Sequence, residues 1–334
     1  MDPLTQGIVG AITAQSITQR SQLALAAICG ALAGMAADLD VLIHSTHDPL
    51  LALEFHRQFT HSLFFIPIGG ALCATIFWWV FTRRSNVSFK LTLLWSTLGY
   101  ATHGLLDGCT SYGTQLLWPL SDARYSIDIV SVIDPLFTLP ALACLVMSTI
   151  YKRPVWVLAA VFWCVLYLFI GFIQHNRAIT LGTEQAQLRG HTPVRLEAKP
   201  SFANLMVWKI VYEAKGRFFV LAVRPGWKAT KIWEGDSVQK LNVQRDLPWL
   251  DPDSQQAKDI SRFSWFSSGF IALDRNDPTH IVDMRYSLLP DQIKPLWWIK
   301  LSADATSDEH VHFETGRGEG RQSALALWKM ITGK

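Results

Sequence analysis

The sequence predicts an α-helical polytopic membrane domain of five to six helices followed by a small, mainly β soluble domain, and three observations carry that prediction. Half of the 334 residues are apolar and only 17% are charged, whereas about a quarter is usual in a soluble protein. The charges are also unevenly spread, since residues 1–174 hold 8 of the 30 Lys and Arg and 9 of the 27 Asp and Glu. Beyond residue 174 the composition is ordinary and short runs alternate between apolar and polar residues. The expected division is therefore a membrane-embedded helical domain over 1–174 and an extracytoplasmic, mainly β domain over 175–334.

Residues 154–173 form the cleanest span, without a charge and long enough to cross about 30 Å of hydrocarbon as a helix. Residues 62–82 are as good, with Trp78 and Trp79 at the end where interfacial aromatics belong. Residues 22–37, 90–106 and 132–150 are shorter or interrupted by polar groups. The opening stretch, 4–19, is polar enough either to span or to lie half-buried against its neighbours. Asp2 stands where a secretory signal would carry basic residues, which argues against such a signal.

Arg20, the group Arg83, Arg84 and Lys90, and the pair Lys152 and Arg153 fall at alternate span ends and mark the cytoplasmic side by the positive-inside rule. The acids and histidines fall at the opposite ends: Asp2, Asp38 with Asp40, His56 with His61, His103 with Asp107, and Asp134. Five segments thus bring ionisable groups to one membrane face, where such groups are costly and usually functional. The last span delivers residues 174–334 to that same face. No dense basic run occurs, which argues against a nucleic-acid partner. The five cysteines form no CxxC pair, so neither a disulfide framework nor a thiolate metal site is expected.

His103 and Asp107 are four apart in a helical stretch and project from one face. His56 and His61 lie in HRQFTHS, and Asp38 and Asp40 in AADLDVL, where a helix of small residues ends. Imidazole and carboxylate donors suit zinc, with manganese or iron as alternatives, and their number suffices for one to three divalent ions. Such an ion brings the pKa of a bound water to about 7, so hydrolysis is the expected reaction class. Each element also has a bland reading: a hydrogen-bonded helix pair for His103 and Asp107, a helix end for the two aspartates, interfacial anchoring for the two histidines. Those readings leave the shared face unexplained. Asp128, in YSIDIVSVIDP, is a further ligand or an acceptor behind one.

The ordered motifs MDPLTQG, DLD, HRQFTHS, ATHGLLDGCTSYGTQLLWP, IDIVSVIDPLF and QHNRA resemble a family of bacterial inner-membrane metal-dependent hydrolases that includes a LexA-regulated member. The likeness covers roughly residues 1–180. Through that family it extends distantly to zinc-dependent phospholipase C and the P1-type nucleases, whose ions are held by His and Asp, including a His-x-x-x-Asp pair like His103 and Asp107. The resemblance implies a phosphoester hydrolase in the inner membrane acting on a membrane lipid or lipid-linked substrate. Many relatives carry His where this chain has Gln6, a poor metal ligand, so Asp2 and Gln6 are candidates of lower rank. Arg57 either stabilises phosphate charge or anchors to headgroups, and Arg177, beside His175, has the same two readings.

From residue 202 the pattern turns to period-two alternation, with strands expected at 205–212, 217–223, 263–272, 280–286 and 297–301. Trp208, Trp227, Trp233, Trp249, Trp265, Trp297 and Trp298 read mostly as core. His310 and His312 in EHVHFE make a ligand pair or a solvated strand face, and the second is expected. Two other functions compete with the hydrolase: a cation or metal-ion carrier, and a non-enzymatic envelope protein whose β domain binds a partner.

Overall fold

Asp2 and Asp134 each precede a proline, and in the computed structural model each caps a helix. The structure describes all residues except 227–228, 317–319 and 334. The helices run in chain order as α1 (Pro3–Ser16), α2 (Leu23–Ala36), a short α3 (Leu51–Phe55), α4 (Ile66–Phe77), α5 (Phe89–Gly108), α6 (Pro135–Tyr151) and α7 (Pro154–Leu188). The six longer ones coincide with the five apolar stretches and the more polar opening one. With their flanking turns, Arg20–Leu42, Leu63–Ser85 and Pro154–Leu188 are long and apolar enough to cross a membrane.

Two compact units result. The first comprises Met1–Leu42, Phe55–Phe172 and Phe202–Asn204, the second Ile43–Glu54, Ile173–Ser201 and Leu205–Lys334. The division between the units falls at Phe172/Ile173, but the helix itself does not break at residue 174, where the composition changes. The stretch QHNRAITLGTEQAQL is polar but free of proline, so α7 continues through it to Leu188.

In the helical unit, exposed apolar side chains recur at helical spacing: Ile68, Leu72, Ile76 and Trp79 along α4 and its extension, and Val155, Leu158, Phe162, Val165 and Phe169 along α7. Such stripes are unfavourable in water and are what a lipid-facing surface requires. Inside, α1, α2 and α5 meet backbone to backbone. A Cβ on Gly30 would overlap the Gly10 carbonyl, and one on Gly99 would overlap the Gly30 carbonyl. Small residues permit this approach, as in membrane helices generally.

The second unit carries two antiparallel sheets. The first contains β1 (Arg195–Pro200), β2 (Trp208–Ala214), β3 (Arg217–Arg224) and β4 (Lys231–Gln239), paired in sequence order. After α8 (Val243–Asp246) and α9 (Gln255–Phe266) come β5 (Ile271–Leu273), β6 (His280–Asp283), β7 (Trp297–Lys300) and β8 (His312–Thr315), again in order, and then α10 (Gly320–Thr332). Val211, Phe218, Val220 and Val238 from the first sheet pack on Phe270, Ala272, Val282 and Met284 beside or within the second.

Of the strand expected at 263–272, residues 263–266 close a helix, a turn follows, and only 271–272 lie in a strand. Ser254 caps α9, and Ile260, Phe263 and Phe266 are buried along one helical face, so their period is 3.6 despite their β-favouring aromatics. Of the tryptophans, Trp208 is fully buried, Trp233, Trp297 and Trp298 are partly buried, and Trp249 and Trp265 are exposed. Trp227 lies outside the described residues.

Candidate metal centre

Beyond α2 the backbone tightens into a 3-10 turn, Ala37–Leu42, which carries Asp38 and Asp40. A second 3-10 turn, Phe59–His61, ends on His61, and α5 presents His103 and Asp107 one turn apart. These elements meet at one end of the helical unit. One donor atom each from Asp38, His61, His103 and Asp107 lies within 4.8 Å of the others. The side chains of His61, His103 and Asp107 are 0% exposed, that of Asp38 18%. Gly104 makes the approach feasible, because a Cβ there would overlap the His61 carbonyl oxygen.

The hydrogen-bond network assigns the protons on both rings. His103 Nδ1 faces the Gly34 carbonyl oxygen at 2.5 Å, and a carbonyl only accepts, so Nδ1 carries the hydrogen. Thr60 donates its one hydroxyl proton to Asp40 Oδ2 at 2.9 Å. His61 Nδ1, 2.9 Å from Thr60 Oγ1 and 3.2 Å from Asp40 Oδ2, must then donate as well. In the neutral rings both Nε2 atoms are left with bare lone pairs, and these face each other across 2.9 Å.

Two carboxylate oxygens complete the group. Asp38 Oδ1 lies 3.4 Å and 3.3 Å from the Nε2 atoms of His61 and His103, and Asp107 Oδ2 lies 3.3 Å and 3.6 Å from the same atoms. Four acceptors at such spacing repel unless a cation or a shared proton lies among them. A tetrahedral zinc ion with ligands at 2.0–2.1 Å would separate those ligands by about 3.3 Å, within the 2.9–3.6 Å range of the distances above. Asp107 Oδ2 is moreover buried without a hydrogen bond. The donor set fits a divalent ion.

Asp40 stands behind this group. It accepts from the Arg57 amide at 3.0 Å, from Thr60 and from His61 through Oδ2, while Oδ1 meets His56 Nδ1 at 2.8 Å. A carboxylate bound to the far nitrogen of a ligating histidine fixes the ring and raises its basicity. Arg57 is buried at a positive φ of 65°. Its Nε lies 3.1 Å from Asp107 Oδ2, its Nη1 donates to Thr110 Oγ1 at 3.0 Å, and its guanidinium sits 4.7 Å from the Tyr112 ring centroid. Arg57 therefore faces a carboxylate of the centre rather than the headgroup region. Gln6 donates through Nε2 to Asp107 Oδ1 at 2.9 Å, and the Met1 amino group also contacts that oxygen.

The other candidates fall elsewhere. Asp2 caps α1 by accepting from the Thr5 amide and hydroxyl. Asp134 caps α6 and accepts the Tyr167 hydroxyl at 2.8 Å. Asp128 is buried at a positive φ of 58°, outside the two His and Asp groups found among the described residues. Arg177 belongs to the second unit, where it binds the Gln174 side chain and the Gly226 carbonyl. His310 pairs with Asp259 at 2.8 Å, and His312 is exposed. Thr60, Gly34 and Gly104, which build the centre without ligating, are additions from the structure; Thr60 and Gly104 adjoin the two ligating histidines in sequence.

Apolar helices with outward hydrophobic stripes, closed at one end over a buried His and Asp cluster, define an integral membrane protein with a candidate metal centre. The chain belongs to the YdjM inner membrane protein family, whose family model matches residues 1–178. That match spans the helical unit and all four residues of the cluster. No curated protein and no solved structure matches the chain, so a distant kinship with zinc-dependent phospholipase C and the P1-type nucleases rests on motif resemblance alone.

Proposed function

We propose that this chain is a membrane-embedded, metal-dependent hydrolase acting on a phosphoester of a lipid or lipid-linked substrate. The observation that carries the reading is the set of four acceptors, His61 Nε2, His103 Nε2, Asp38 Oδ1 and Asp107 Oδ2, at the spacing of a zinc ligand shell. A divalent ion held there supplies Lewis acidity and a water acidified to near neutrality. The protein's own part is to keep both imidazoles in one tautomer through Gly34 and Asp40, and to balance Asp107 with Arg57. The preference for a phosphoester, and the placement of the centre at the extracytoplasmic face, come from the motif resemblance and the positive-inside pattern.

The carrier reading is disfavoured by the same bonds. A transported ion must leave readily, yet both histidines are locked from behind and three of the four ligating side chains are fully buried. Metal analysis of the purified protein tests the centre: about one tightly held zinc per chain is expected, and full occupancy surviving His103→Ala would overturn it. Chelator-sensitive release of product from phospholipid or isoprenoid-phosphate substrates tests the reaction. Bound metal without turnover on either substrate returns the carrier to first place. A reporter fused after Lys334 tests the orientation, and a cytoplasmic signal would reverse it.

A further inference from the structure

A second group shares a residue with the first. Asp38, Asp40 and His56 also offer one donor atom each within 4.8 Å of one another, and Asp40 Oδ1 and His56 Nδ1 are 2.8 Å apart. The two groups differ in access. The inner one joins Asp38, whose side chain is 18% exposed, to three that are 0% exposed, whereas the outer one joins it to Asp40, also 0% exposed, and to His56, whose side chain is 23% exposed. They differ also in completeness. Four protein donors close a tetrahedral shell, while three leave a position for water or for an oxygen of a bound molecule, which is how structural and catalytic zinc sites divide.

We infer that Asp38 is shared by two metal seats of unequal strength: a closed inner seat with His61, His103 and Asp107, and an open, exchangeable outer seat with Asp40 and His56. This rests on the inner group being a metal centre, as proposed above. Asp40 suits the outer seat because its two oxygens are already divided in function. Oδ2 is engaged by Arg57, Thr60 and His61, and Oδ1 is turned to His56. His56 needs no loss of charge to serve, since the neutral ring only has to carry its proton on Nε2 instead of Nδ1. The geometry therefore assigns the anchoring function to the buried seat and ligand exchange to the exposed one. An ion in the open position has room for an anionic oxygen ligand, so phosphate and the outer ion are expected to bind cooperatively.

Manganese titration of the metal-free full-length protein in detergent, followed by calorimetry and by the paramagnetic resonance of free ion, tests this with and without inorganic phosphate. The expected result is one tight equivalent indifferent to phosphate and one weak equivalent tightened at least 5-fold by it, within the usual range of coupling between sites. His56→Ala should abolish the weak equivalent and keep the tight one, whose retention also certifies the fold. A single equivalent at millimolar manganese with phosphate, two equivalents in His56→Ala, or loss of both in that variant overturns the two-seat assignment. A native protein that binds no tight equivalent overturns the metal centre itself.

Discussion

In the soluble domain Arg285 is buried, yet its inward nitrogens meet oxygens: Nε reaches Asp283 Oδ1 at 3.0 Å, and Nη2 reaches Asp283 Oδ2 at 2.7 Å and the Phe266 carbonyl at 2.9 Å. Asp283 also receives the Trp297 indole at 3.3 Å. At the end of the helical unit the pattern differs: two imidazole Nε2 atoms face each other at 2.9 Å, and Asp107 Oδ2 makes no hydrogen bond, with Arg57 Nε 3.1 Å away. Both places bury charge in a low-dielectric interior, where an uncompensated ion costs several kcal/mol. One is complete within the chain and therefore reads as architecture. The other gathers four candidate donor atoms around one point, and that distinguishes a candidate site from a well-paired core.

Four perturbations separate the two, in descending order of expected effect. Gly104→Ala puts a methyl where the His61 carbonyl lies. It should abolish metal retention, read by metal analysis, while the thermal unfolding of the soluble domain is unchanged; native occupancy would remove the close approach from the account of the centre. Arg285→Met leaves Asp283 buried and unpaired, which should cost the soluble domain about 3–5 kcal/mol without loss of metal. Adding Asp283→Leu should recover most of that loss, because an apolar pair of similar volume needs no counter-ion. Asp40→Asn removes a charge from behind His61 and should weaken inner-seat metal affinity by about 10–100-fold, measured by competition with a chelator. An unchanged affinity would reduce Asp40 to its outer-seat function.

The smallest effect is a pH slope. Burial holds the Lys209 ammonium down to about 7, against about 10.4 in an unfolded chain. Between those values the folded state binds fewer protons than the unfolded one, so this group makes the soluble domain more stable as pH rises through that window, by up to about 1.4 kcal/mol per unit. Below pH 7 both states are protonated and the slope vanishes. Lys209→Met should flatten the dependence; a variant with the native slope would assign it to other groups.

Much of this was legible in the sequence. Apolar runs mark five of the six long helices, the first being too polar for its stretch to be read as a span, and the four-residue spacing of His103 and Asp107 puts both on one face. Asp38 and His61 share no spacing with that pair, and only the end-by-end distribution of charge brought them to it. Spacing cannot separate a ligand from the residue that orients it, so Asp40 and Asp38 looked alike. Asp2 and Asp134 carried a readable alternative, because aspartate before proline is the signature of a helix start. The α9 helix was missed because aromatic composition was weighed above a 3.6 period.

The centre draws its donors from three places along the chain, and this orders its appearance in time. During synthesis Asp38 emerges first, His61 next, and His103 with Asp107 only after the fifth helix has been made. No fragment ending before residue 107 can close the inner shell. Under the proposed metal reading, capture is a late event in biogenesis, and a ribosome-stalled series of growing lengths should acquire tight zinc in a single step once α5 has entered the bilayer.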